Sequence, residues 1–356
     1  MAAGVQSRAV TDGPASNSPA PHKRRPRYAG RNPRRFEDKY KERDPQRHPD
    51  TVEKVIASGK TPAGTHRPIM VTEILEVLAP APGKIAVDCT LGYGGHAREI
   101  LARIQPGGWL IGLDADPVEL PKTEARLRAL GFGPETFHAH RGNFAGLPQI
   151  LAGHDLTGAD LILADLGLSS MQIDDPSRGF SVKHEGPLDM RLNPERGAPA
   201  SVLLKKLKPG ALAELLTENA DEPRASELAS ALAGQSFATT AALAEAIRAA
   251  SPRLKKDDAD LAVRRVFQAL RIAVNDEFSA LDTLLRMLPG CLAPAGRVAI
   301  LTFHSGEDRR VKKAFEAGLR DGFYSEISRE VIRPSPEEQR SNSRSSPAKL
   351  RWAMRK

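Results

Sequence analysis

Apolar positions along this chain follow two rhythms. Short runs that are apolar throughout and end in turn-formers read as buried strands. Longer stretches with apolar residues three and four apart read as helices. In "HRPIMVTEILEVLAP" (66–80), Ile69, Val71, Ile74, Leu75 and Leu78 make one helical face, ended by Pro80 and Pro82. "KIAVDCT" (84–90) is a first strand and "HAREILARI" (96–104) its helix. "GWLIGLDAD" (108–116) is a second strand, with "VELPKTEARLRAL" (118–130) as its helix. "ETFHAHRGNF" (135–144), "ADLILADLG" (159–167) and "GRVAILTFHS" (296–305) supply three more strands. Near-continuous apolar strands alternating with helices predict a parallel sheet covered on both faces. "SSPAKLRWAMRK" (345–356) holds one further strand, expected at the sheet's edge.

Between the fourth and fifth strands the pattern turns helical. "ALAELLTENADEPRASELASALAG" (211–234) and "TTAALAEAIRAAS" (239–251) are rich in helix formers. "FQALRIAVNDEFSALDTLLRMLPGCLAPAG" (267–296) reads as a return helix to the last core strand. The expected organisation is a sheet domain, residues 61–174 and 276–356, interrupted by a helical insertion over 175–275. No internal repeat is visible.

Charge adds a third segment. Residues 1–60 carry 14 Lys/Arg against 7 Asp/Glu, which leaves the remainder nearly neutral at 38 against 37. "PHKRRPRYAGRNPRRF" (21–36) has no apolar period, so it cannot offset the entropy of ordering and is expected to be disordered. Three readings fit: an arm that tracks RNA phosphates, a solvated leader, or a transit peptide. The last draws on a single acid, Asp12, in residues 1–36, but lacks an amphipathic helix. Only two cysteines occur, Cys89 and Cys291, so a disulfide framework is excluded and a reducing, cytoplasmic setting is expected. No Cys/His cluster has zinc spacing, and no metal is expected. No apolar run is long enough to span a membrane.

Ligands of such sheets bind at the carboxyl ends of the strands. There the chain places Asp88 and the turn "GYGG", Asp114 and Asp116, Asn143 and Phe144, Asp165, and His304 with Ser305. The glycine turn lets backbone approach a ligand closely. Its G-x-G-G spacing is not the dinucleotide pattern G-x-G-x-x-G. Asp114, 22 residues after Gly92, is placed to accept from ribose hydroxyls, which suits NAD and S-adenosylmethionine (SAM) equally. "ADLGLSSMQIDDPSRGFS" (164–181) is a polar loop where a substrate should sit, with Asp165 an acceptor for an amine and Gln172 for an adenine edge or the substrate. Asp189 and Arg191 read most simply as solvated charges. His304 reads as a proton shuttle, a stacking platform or a structural residue. Arg309, Arg310, Lys312 and Lys313 read as phosphate contacts or a solvated helix face.

"HRPIM", "DCTLGYGGHA", "GLDADP", "ADLGLSSMQIDDPSRGFS", "GPLDMRLNP", "VFQALRIAVNDE" and "LTFHSGEDR" occur in this order. Together they closely resemble the RsmH/MraW family, the SAM-dependent 16S rRNA (cytosine-1402-N(4))-methyltransferases, over roughly residues 64–356. The resemblance implies a Rossmann-like methyltransferase sheet with an inserted helical substrate-binding domain. It implies SAM as cofactor and 16S rRNA of the small ribosomal subunit as partner. By matching positions, Gly94, Gly95 and His96 form the SAM-binding turn, Asp114 holds the ribose, and Phe144 flanks the adenine. Asp165 and Gln172 complete the cofactor contacts. Oligomeric state stays open between monomer and homodimer.

The chain also departs from that pattern. The opening "HxPVL" is "HRPIM", and Leu91, Gly92 and Tyr93 replace the usual residues before "GGH". Ala115 stands where "DRDP" has arginine, Pro223 interrupts "ADEPRASELA", and Gly306 replaces the leucine of "FHSLEDR". Most of the family lacks an extension like residues 1–60.

A cytosine amine is a poor nucleophile, because its lone pair is delocalised into the ring. Its methylation needs an aligned approach and an acceptor for the amine hydrogen, for which Asp165 is the candidate. The base must leave its stack, with Phe180 or Phe303 as stacking partners. Asp189, Arg191 and Arg309 are candidate RNA contacts. Rival readings are a nicotinamide oxidoreductase, a non-catalytic RNA-binding assembly protein, and the same chemistry on another RNA or DNA amine.

Overall fold

The computed structural model describes Met1 and residues 68–356. The basic extension expected over residues 1–60, and residues 61–67 of the expected sheet domain, lie outside the described residues. Helix α1 (Val71–Leu78) begins after Met70, whose backbone is left-handed (φ 56). Strands β1 (Ile85–Asp88), β2 (Trp109–Asp114), β3 (Phe137–Arg141) and β4 (Ala159–Asp165) alternate with helices α2 (Gly95–Ile104), α3 (Leu120–Ala129) and α4 (Leu147–Gly153). A short helix α5 (Ser170–Asp174) follows β4. Five helices come next: α6 (Ala200–Lys206), α7 (Pro209–Ala220), α8 (Ala225–Leu232), α9 (Thr240–Ala249) and α10 (Lys256–Asn275). The chain closes with α11 (Glu277–Cys291), β5 (Leu292–Thr302), α12 (Ser305–Arg320), β6 (Tyr324–Ile327), α13 (Pro336–Ser341) and β7 (Lys349–Arg355).

The strands form a seven-stranded sheet in the order β3-β2-β1-β4-β5-β7-β6. The first five are parallel, and β7 runs antiparallel to both β5 and β6. The C-terminal strand expected at the edge is therefore interior. The edge is β6, whose sequence "YSEI" carries too little apolar pattern to announce a strand. Strand β5 also starts earlier than expected, at Leu292.

Alternation along the strands sends side chains to two cores. Val87, Ile111, Ile162, Val298 and Ile300 face a layer that includes Leu151, Leu284, Leu288 and Phe315. Leu110, Phe137, Leu163, Leu301 and Leu350 face another, with Ile74, Ile100, Leu101 and Leu127. The insertion has a third core of its own, including Leu212, Leu216, Leu228, Leu243, Val266 and Leu270. Pro223 lies in the turn between α7 and α8, so it breaks no helix. Residues 68–356 nevertheless belong to one compact unit. None of the described helices is long and apolar enough to cross a membrane.

Candidate functional site

A cavity of about 510 Å³ opens at the carboxyl ends of β1, β2, β4 and β5. This is where a sheet of this kind leaves loops and strand ends free to bind. One wall is the glycine turn between β1 and α2. Gly92 donates its N–H to Asp114 Oδ2 at 2.8 Å, and Asp116 N–H goes to Asp114 Oδ1 at 2.9 Å. Each carboxylate oxygen keeps a further lone pair for a ligand. Helix α3 braces the turn: Thr123 donates its hydroxyl to Gly92 O, and the Arg126 guanidinium stacks on Tyr93 at 3.7 Å. Gly94 is left-handed (φ 80), and a Cβ there would stand 2.9 Å from Thr123 Cγ2. Only glycine fits. Gly94 itself is outside the lining residues, whereas Gly92, Tyr93, Gly95 and His96 line the cavity.

The loop after β4 is locked by a fully buried acid. Asp116 Oδ2 accepts from Gln172 Nε2 at 2.9 Å and from Arg178 Nη1 at 2.8 Å, while Oδ1 accepts from Val118 N–H. Gln172 also accepts the Ser169 N–H as the N-cap partner of α5. Arg178 Nη2 donates to Arg191 O and Leu192 O. Asn275, at the end of α10, accepts the Leu192 N–H at 2.7 Å and donates to Met190 O. A continuous set of bonds thus runs from the end of β2 to the insertion's longest helix. The sequence reading missed Arg178 as a functional residue. Its partners lie far away along the chain, so no spacing signals it.

Asp165, His96, Glu307, Arg271, Phe278 and Phe303 also line the cavity. The Asp165 backbone N–H donates to Thr90 Oγ1 at 2.6 Å, which fixes the end of β4 against the end of β1. His96 Nε2 lies 2.9 Å from Ile69 O, and a carbonyl can only accept, so Nε2 carries the hydrogen. Its Nδ1 lone pair then faces Asp165 Oδ2 at 3.5 Å. Burial pushes the Asp165 carboxyl up to about 7, with Glu307 adding to it, and burial pulls His96 down. The two therefore form a near-neutral contact, not an ion pair. Burial also raises Asp114 to about 6, and Asp88 to about 6. Glu307 is the exception: burial opposes its charge, but His304, Arg271 and the Phe303 N–H hold it below the usual range. Asp114 and Asp165 thus present raised carboxyls to the cavity, which a positively charged ligand would ionise; Lys183, Arg271 and Arg344 also line it.

The other expected residues divide. Phe144 and Gln172 line the cavity with Asp114 and Asp165. His304 does not line it; its Nδ1 accepts the Glu307 N–H and caps α12. Phe180 packs on the helical core, with the Arg178 guanidinium 5.7 Å from its ring. Asp189 and Arg191 are a two-bond fork at 2.8 and 2.7 Å, half-buried rather than solvated. Arg309 is paired with Asp221 of the insertion at 2.9 Å. Gly306, a departure noted above, has a physical partner: a Cβ there would lie 2.7 Å from Phe278 Cζ. The Phe278 ring, stacked under Arg310 at 3.6 Å, fills the space a leucine would need. Among the described residues no group of three His, Cys, Asp or Glu stands ready to hold a metal.

Five parallel strands, a reversed seventh strand between β5 and β6, and an acid-lined cavity at the strand ends define a Rossmann-like methyltransferase. More narrowly, the chain belongs to the MraW methylase family, whose sequence model matches residues 63–356. It is 48% identical over 355 residues to ribosomal RNA small subunit methyltransferase H 1 of Lachnoclostridium phytofermentans, covering 97% of this chain and 96% of that one. It is also 48% identical to ribosomal RNA small subunit methyltransferase H 2 of Alkaliphilus metalliredigens, over 93% of this chain and 97% of that one. The Crocosphaera subtropica ribosomal RNA small subunit methyltransferase H is 40% identical, over 83% of this chain and 90% of that one. The first two matches cover enough of the chain to reach into residues 1–60.

Three outcomes follow from this geometry. Arg178→Met is expected to cost about 3 kcal/mol or more, because Asp116 would remain buried without its cation. Denaturant unfolding measures it, and a loss below about 1 kcal/mol would contradict the lock. A carboxyl raised on folding adds stability that is full below its unfolded pKa and is lost as pH rises through its folded value. Asp165→Asn, which cannot ionise, should therefore gain on the ligand-free wild type by about 2 kcal/mol at pH 8 and less at pH 5. Thermal melts at both pH values decide this, and an advantage confined to pH 5 would reverse the assignment. Gly306→Leu should destabilise by about 1–3 kcal/mol through overpacking, with Phe278→Leu in the same chain restoring most of it.

Proposed function

We propose that this chain transfers a methyl group from SAM to the exocyclic N4 amine of one cytosine in small-subunit ribosomal RNA. By family resemblance the site is position 1402 of 16S rRNA, presented in the small ribosomal subunit in the cytoplasm. The helical segment, residues 175–275, serves as the RNA-binding part. The observation that carries the reading is Asp165: a half-buried carboxyl at the end of β4, in the same cavity as the glycine turn and Asp114.

The residues present fit SAM. Asp114 and Asp165 are cavity-lining acids raised by burial, which a sulfonium and an ammonium group would bring back toward ionisation. Asp114 has free lone pairs for ribose hydroxyls, and Phe144 offers an apolar face for a purine. When bound, SAM supplies an electrophilic methyl that is transferred in line and leaves a neutral thioether.

The protein's part is placement and proton handling. Asp165 accepts a hydrogen bond from the cytosine amine, which localises density on nitrogen and orients its lone pair. As nitrogen gains its fourth bond it becomes acidic and passes a proton to Asp165. The Asp165 carboxylate, ionised beside a cation, holds that proton once the positive charge is gone, because burial alone pushes it up to about 7. Phe303, at the end of β5, supplies a ring at the cavity wall on which a displaced base stacks. Asp165→Asn should lower kcat at saturating SAM by about 100-fold or more on unmodified small subunits. Measuring SAM affinity alongside separates chemistry from binding, and an unchanged kcat would remove Asp165 from the reaction.

A further inference from the structure

One arginine in the cavity uses only half of its bonding capacity. Arg271, one turn before the end of α10, lines the cavity beside Asn275 and Glu307, with its side chain 16% exposed. Glu277 takes one edge of the guanidinium: Nε donates to Oε1 at 2.9 Å and Nη2 to Oε2 at 2.8 Å. The opposite edge, Nη1 with the outer hydrogen of Nη2, meets no acceptor among the described residues. Nor is Nη1 among the buried polar atoms that lack a partner, so this edge opens on the cavity.

The side chain is also held still. α10 ends at Asn275, Asp276 is left-handed (φ 51), and α11 starts at Glu277, so the Arg271–Glu277 pair spans a fixed corner. A fork held in one rotamer suits planar, two-point recognition. Asp165, Glu307 and Arg271 line the same cavity. The cavity therefore offers both an acceptor and a double donor. Cytosine presents the complement: an amine donor at N4, then two acceptors at N3 and O2. Adenine has a C–H where cytosine has O2, and uracil has no amine and carries a hydrogen on N3.

We infer that Arg271 is the specificity-determining residue: its open edge donates to N3 and O2 of the target cytosine while Asp165 takes the amine. This rests on the cytosine reading above. It assigns to the insertion's longest helix the task of choosing the base, and to the sheet the task of methylating it.

The test pairs a change in the protein with a change in the base. Labelled-SAM transfer is measured on small subunits carrying either cytidine or 2-thiocytidine, whose sulfur is a weak acceptor, at the modified position. For the wild type, sulfur should lower kcat/KM by about tenfold or more. For Arg271→Lys, which keeps the cation and loses the fork, sulfur should change kcat/KM by less than about threefold. SAM affinity should stay within about threefold of wild type in the variant. An equal sulfur penalty in both proteins overturns the proposal, as does a wild type indifferent to sulfur, a result that needs no folded variant. If the wild type leaves the cytidine substrate unmethylated, the cytosine reading itself fails.

Discussion

The site depends on one electrostatic constraint. A sheet whose first five strands are parallel gathers their carboxyl ends on one edge, and this chain buries acids there. Asp88, Asp114 and Asp165 lie where water is scarce, and burial lifts each above its ordinary range. Such a cluster costs stability unless a cation meets it. Arg178 is paired with Asp116, Arg344 with Asp174, and Arg271 through one edge with Glu277. The two of these acids that line the cavity, Asp114 and Asp165, are thus complementary to a ligand bearing positive charge.

The surrounding structure holds that cluster in place. Thr90 joins the ends of β1 and β4, and Thr123 and Arg126 brace the glycine turn from α3. Asp116, Arg178 and Asn275 carry the bracing on to the insertion. A helical segment with its own apolar core is in this way registered against the cofactor end of the sheet by polar bonds. Exposed pairs such as Arg309–Asp221 add a second, weaker tie between α12 and the insertion.

Much of this was legible in the chain because it is local. Apolar runs gave the five parallel strands, and the turn-formers after them gave Asp114 and Asp165 as strand-end acids. The switch to helix-forming composition gave the insertion. What stayed hidden depends on tertiary partners. β6 is a short edge strand without a pattern, so in sequence the final strand reads as the edge. His304 is a helix cap, although its position at a strand end suited a proton shuttle. Phe180 and Phe303 were equivalent candidates in sequence, and only folding puts the second on the cavity wall. Arg178 and Arg271 have roles defined by residues far off or by an unused guanidinium edge, neither of which spacing encodes. Gly306 reads in sequence as a plain departure, and its reason is the ring of Phe278 in the space beside it.

The central claim is that this acid-lined cavity methylates a cytosine amine in small-subunit RNA. The most direct measurement is transfer from isotopically labelled SAM to small subunits that lack the modification, followed by nucleoside mass spectrometry. The account predicts label in N4-methylcytidine from a single position. Label on carbon 5, on a ribose hydroxyl, or on no nucleoside would contradict it.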